Sequence, residues 1–132
     1  MREIKFRAWD TEKQEMATVN FIGLNDYEVG MEDEECRRWR ATYPYVCRLM
    51  QYIGLEDKNG IKIYEGDIIT ITLDTGNVIT GSVGMNNGQW SIKYYDRYYP
   101  LVSIWYEMKP EVIGNIYENS ELLERNEDEI DG

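Results

Sequence analysis

Glu65 and Asp67 flank Gly66 and form a carboxylate pair of a kind that can do acid–base work or hold a metal through oxygen. At a strand corner, however, such carboxylates more often accept backbone N–H groups. Trp39 stands between Arg38 and Arg40, with Arg37 just upstream, a mixture of flat ring and positive charge suited to stacking on a nucleic-acid base. The acidic run Glu32-Asp33-Glu34-Glu35 that precedes them can answer those arginines and let Trp39 fold onto the body. Tyr94-Tyr95-Asp96-Arg97-Tyr98-Tyr99-Pro100 gathers four tyrosines around a tight turn. Tyr95, Arg97, Tyr98 and Tyr99, with Trp39, are therefore the candidate contact surface, because protein interfaces are enriched in tyrosine, tryptophan and arginine. Cross-strand packing in a small β core is the competing use of the same rings.

The 132 residues contain no histidine. That removes the ordinary imidazole base, the Ser-His and Cys-His pairs and every histidine metal ligand. Cys36 and Cys47 lack Cys-x-x-Cys spacing and are expected as reduced thiols. Gly81-Ser82-Val83-Gly84 has neither the spacing nor the lysine of a phosphate loop. No catalytic activity, metal or cofactor is expected.

The elements that would position these side chains are short strands. Ile4, Phe6 and Ala8 alternate with Lys5 and Arg7, and Asp10–Gln14 is turn-like. Met16–Leu24 returns, so the chain opens with a β-hairpin. From Asn25 to Tyr45 the alternation fades. Asp33 with Arg37 and Glu34 with Arg38 sit at helical i,i+4 spacing, which predicts a short exposed helix in a mobile excursion closed by Pro44. Leu49–Val83 is the best-patterned stretch. Asn59-Gly60 marks a hairpin, Gly66 a sharp corner, and Ile69, Ile71 and Leu73 alternate with threonines in a half-buried strand. Further strands are expected over Val78–Met85, Gln89–Tyr95, Leu101–Tyr106 and Val112–Tyr117, with Asp96-Arg97 as a turn. Gly81 and Gly84 predict bulges or close backbone approach. Asn119 or Ser120 caps a short C-terminal helix pinned by Leu122 and Leu123. The fold class is mainly β: a small curled sheet or partly open SH3-like barrel with an N-terminal hairpin and a short C-terminal helix. One domain spans 1–125, its barrel core at 49–117, and 126–132 form a disordered acidic tail.

Three separated blocks carry a family resemblance: Met1–Asp10, Met50–Ile69 and Val112–Asn119. In that order they resemble the YopX family of bacteriophage and prophage proteins. The chain departs from the usual pattern at Ile53, where members carry Thr, and at Ser120, where they carry Pro. The resemblance implies a phage-encoded cytoplasmic protein with a mostly β, barrel-like body, and it implies no activity.

Fourteen basic against 25 acidic residues give a net charge of −11, and the segment from Glu118 onward holds seven carboxylates against Arg125 alone. Nucleic acid is disfavoured as a partner, since a strongly negative protein must first overcome its own repulsion of phosphate. A local basic face from Arg2, Lys5, Arg7, Lys93 and Arg97 is the residual route to it. No apolar run reaches the roughly 18 residues of a membrane helix, and no secretory signal opens the chain. The expectation is a non-catalytic protein–protein interaction module in the host cytoplasm, with a host or phage protein as partner. Homo-oligomers and an acidic mimic of DNA are further readings.

Overall fold

The computed structural model of the chain describes residues 3–101 and 108–124. Eleven strands follow in order: β1 (Phe6–Asp10), β2 (Glu15–Ile22), β3 (Glu28–Glu32), β4 (Arg38–Thr42), β5 (Cys47–Glu56), β6 (Lys62–Tyr64), β7 (Asp67–Thr72), β8 (Val78–Asn86), β9 (Gln89–Tyr94), β10 (Arg97–Pro100) and β11 (Glu111–Asn115). They make two antiparallel sheets, ordered β4-β3-β2-β1-β5-β6 and β10-β9-β8-β7-β11, which among the described residues do not close into a barrel. Residues 121–124 are helical.

The chain divides into two compact units, 1–52 and 53–132. In the first, Ala8, Ala17, Val29, Met31, Ala41 and Cys47 form the core, with Trp39 and Val19 packed against it. The register sets Ala8 opposite Ala17 on β2 and Leu49 on β5, and Val29 opposite Ala41. Three small alanines let the strands carry the larger Met31 and Trp39 on the same face without overpacking. In the second unit, Ile53, Ile63, Ile69, Ile71, Ile79, Val83, Ile92 and Leu101 form the core. Ile69 and Ile71 on β7 and Ile79 and Val83 on β8 occupy positions of one parity, as the period-two pattern requires.

The segment from Asn25 to Tyr45 corrects the sequence reading. No helix forms there; β3 and β4 pair antiparallel over Glu28–Glu32 and Arg38–Thr42. Val29, Met31 and Ala41 are core residues, so the pattern that looked degraded is a short period-two hairpin. The i,i+4 pair survives inside its turn: Asp33 accepts the Arg37 backbone N–H at 2.9 Å and its Nε–H at 2.7 Å. A turn closing on itself brings residues four apart together as a helix does.

Gly81 and Gly84 produce no register shift on either side of β8. A Cβ at Gly81 would lie 2.3 Å from the Lys93 carbonyl oxygen, which is close backbone approach; at Gly84 it would meet nothing within 4 Å. The bulges lie elsewhere, at Val19/Phe21 on β2 and Val112/Gly114 on β11. The strand expected over Leu101–Tyr106 lies almost wholly outside the described residues, as does the tail 126–132. In the C-terminal turn the Asn119 and Ser120 backbone carbonyls accept the Leu122 and Leu123 N–H groups, while the Asn119 side-chain oxygen accepts the Asn115 N–H.

Candidate contact surface

Of the Glu65 and Asp67 pair, Asp67 is used by the backbone. Asp67 is 1% exposed and accepts the Tyr64 N–H at 2.8 Å, fixing the corner at Gly66, whose φ is 86°. Two equivalents escaped the sequence reading. Asp57 takes the Asn59 and Ile61 N–H groups on one oxygen, at 2.8 and 2.9 Å, and the Val112 N–H on the other at 2.9 Å. Asp10 takes the Glu12 and Lys13 N–H groups on Oδ1 and the Trp39 indole N–H, at 2.7 Å, on Oδ2. Their signal is an aspartate at a strand end just before polar turn residues, the pattern of an Asx turn. Among the described residues no group of three or more Cys, Asp and Glu is arranged to hold a metal ion.

Trp39 is half-buried in the first unit, with Lys13 Nζ 4.2 Å from its ring centroid in addition to the Asp10 hydrogen bond. Its neighbouring arginines are answered locally: Arg37 by Asp33 and Glu35, Arg38 by Glu32, and Arg40 by Glu28 at 3.3 Å. This hairpin carries a groove of about 320 Å³ lined by Asn20, Phe21, Gly30, Met31, Arg38, Trp39 and Arg40. The Phe21 ring lies directly over Gly30, where a Cβ would come within 2.2 Å of it, and the Arg40 guanidinium sits 5.4 Å from the ring centroid.

The tyrosine-rich turn belongs to the second unit, and its side chains divide. Arg97 pairs with Tyr94, so the turn residues are Tyr95 and Asp96 rather than Asp96 and Arg97. Tyr99 lies opposite Ile92 and packs half-buried against the core. Tyr98 lies opposite Lys93, whose Nζ is 5.9 Å from its ring, and is 42% exposed. Tyr95 is 37% exposed, stands edge-on to Tyr94 with centroids 4.6 Å apart, and has φ 57°. A left-handed backbone suits Gly or Asn and is unusual for a bulky aromatic. Asp96 and Arg97 are both exposed. Tyr95, Arg97 and Tyr98 thus share one exposed hairpin tip, Tyr99 turns into the core beneath it, and Trp39 belongs to the other unit.

Charge is distributed unevenly around this hairpin. Between Thr75 and Tyr106, a span that contains β8, β9 and β10, the only carboxylate of the chain's 25 is Asp96. The cations in that span are Lys93 and Arg97. Three adjacent strands of one sheet are therefore nearly free of the negative charge that dominates the rest of the sequence.

The family model for the YopX protein matches residues 5–124. The chain belongs to the YopX family. Among solved structures, this YopX-family chain is similar to protein EF1440 from Enterococcus faecalis, at 26% identity and a TM-score of 0.64, over 93% of this chain and 99% of that one. It is likewise similar in fold to protein yopX from Bacillus subtilis, at 23% identity and a TM-score of 0.62, with the same coverage. No match is found among curated proteins. In the described residues no helix is long and apolar enough to cross a membrane.

Proposed function

We propose that this YopX-family chain is a phage- or prophage-encoded, non-catalytic protein–protein interaction module of the bacterial cytoplasm, and that the β9–β10 hairpin is its contact surface. The observation that carries this reading is the exposed trio Tyr95, Arg97 and Tyr98 on strands nearly stripped of carboxylates. Interface centres are depleted of like charge and enriched in tyrosine and arginine, because large rigid rings gain contact area at small entropic cost. The acidic remainder acts at longer range, drawing the module toward a basic host or phage protein. Nucleic acid has weaker support as a partner. It would need several uncompensated cations to neutralise phosphate, whereas Arg37, Arg38 and Arg40 are each paired with a carboxylate and the Trp39 ring is occupied by Lys13.

The test is affinity capture from phage-infected or prophage-bearing cells with the tagged protein, at low and moderate salt and with and without nuclease. The wild type is compared with Tyr95→Ala and Tyr98→Ala. The expected result is one protein partner that survives nuclease, fades with salt and is lost with either variant, while both variants melt within a few degrees of the wild type. Capture that disappears with nuclease, or that both variants retain, would overturn the proposal.

A further inference from the structure

The hairpin tip also carries a charge arrangement that reads as complementary to itself. In the β3–β4 hairpin three arginines are matched within the chain: Arg37 by Asp33, Arg38 by Glu32, Arg40 by Glu28. Asp96 in the turn and Arg97 at the start of β10 are adjacent and exposed, and neither forms an ion pair among the described residues. An adjacent acid and base at an exposed tip have a simple geometric property. When two copies meet about a two-fold axis that passes between these two side chains, the acid of each faces the base of the other, and one contact is made twice.

Like-charge repulsion narrows where two copies can meet. Each chain carries a net charge of −11, so most ways of bringing two together set carboxylate against carboxylate. Over β8, β9 and β10 that obstacle is nearly absent, since Asp96 is the only acid there and has Arg97 beside it. Tyr95 and Tyr98 flank the charged pair and supply apolar area, and Lys93 lies across the sheet from Tyr98. Like the functional reading above, this argument rests on the hairpin being a contact surface, and it names an occupant.

We propose that the β9–β10 tip binds a second copy of this chain, forming an isologous dimer in which Asp96 of each copy pairs with Arg97 of the other. A contact confined to two hairpin tips falls at the small end of protein interfaces, so the expected dissociation constant is about 10–100 µM.

Sedimentation equilibrium of the full chain at ~0.15 M salt, where screening confines the fields of the two bodies to about 8 Å, tests this directly. Over roughly 5–500 µM the wild type should pass from monomer mass to dimer mass. Asp96→Arg places two cations at the tip and Arg97→Asp places two anions there, so each variant alone should stay monomeric across the range. An equimolar mixture of the two should recover the dimer, because the opposite tips now match. The positions are exposed and lie outside the core, so circular dichroism and melting of each variant should follow the wild type, and the recovery in the mixture itself shows that both are folded. Three results would overturn the inference. A wild type that stays monomeric to 500 µM returns the tip to a different partner and leaves the interaction-module reading to its own capture test. Single variants that still dimerise place the contact elsewhere on the surface. A mixture that stays monomeric while the wild type dimerises denies the Asp96–Arg97 pairing.

Discussion

Three backbone N–H groups from two separate segments converge on the Asp57 carboxylate, which is 5% exposed. Burial on its own would raise the Asp57 pKa. The hydrogen bonds from Val112, Ile61 and Asn59, with the nearby Lys58 charge, outweigh it and hold the carboxyl below its usual 3.8. The native state therefore binds this proton less readily than the unfolded chain does. The stability it contributes is complete well above pH 3.8 and is lost as pH falls through that value toward the lower native pKa. Asp57→Ala leaves three N–H groups without their acceptor and should cost ~2–4 kcal/mol in urea unfolding at pH 7. Asp57→Asn should lose less and should flatten the acid limb of the stability–pH curve; an unchanged acid limb would remove Asp57 from this account. The two cysteines separate just as clearly. Cys47 is fully buried, and burial first, then the Asp10 charge, pushes its thiol up to about 11, whereas Cys36 is exposed in the β3–β4 turn. At neutral pH a thiol reagent should label Cys36 in the native protein and Cys47 only after denaturation.

Elements set the cost of changing residues that look alike in sequence. Gly81 and Gly84 share β8, yet only at Gly81 would a Cβ run into backbone, 2.3 Å from the Lys93 carbonyl oxygen. Gly81→Ala should cost ~2–4 kcal/mol, while Gly84→Ala should be neutral or stabilising by up to ~1 kcal/mol through lost freedom of the unfolded strand. Equal effects at the two sites would contradict the β8–β9 packing. Tyr95 gives the converse case. Its left-handed φ costs a bulky residue about 1 kcal/mol that glycine would not incur, so Tyr95→Gly should raise the melting temperature while weakening partner capture. Such distinctions mark how far the sequence can be read. Period-two alternation and Gly or Asx turns revealed the β1–β2 hairpin, the Asn59-Gly60 loop, the Gly66 corner and β7 to β9, because side-chain parity and positive φ are local properties. The β3–β4 hairpin was hidden. The spacing of Asp33 with Arg37 and Glu34 with Arg38 reads as helical pairing until the cross-strand pairs Glu32–Arg38 and Glu28–Arg40 are known. At the β9–β10 tip Tyr95, Tyr98 and Tyr99 all read as contact residues in sequence, and only the register, shifted by one residue at the turn, shows that Tyr99 faces inward.

At the scale of the molecule, 25 carboxylates against 14 bases make self-repulsion the electrostatic term that most needs relief. The ion pairs among the described residues do little to supply it. All join exposed arginine or lysine side chains to carboxylates, as in Arg37–Asp33 and Lys58–Glu111, and such pairs are worth at most ~1 kcal/mol each and are themselves screened. Raising salt from ~10 to ~150 mM shortens the screening length from about 30 to about 8 Å, which weakens repulsion across the whole body more than it weakens pairs already in contact. The melting temperature should therefore rise with salt over this range by a few degrees, the shift that about 1 kcal/mol produces in a chain of this size. Truncation after Arg125 sharpens the test. Residues 126–132 carry four carboxylates and no base, so removing them reduces the net charge from −11 to −7 and should visibly shrink the salt response. A melting temperature that falls with added salt, or a response that ignores the truncation, would mean that the exposed ion pairs outweigh the excess charge.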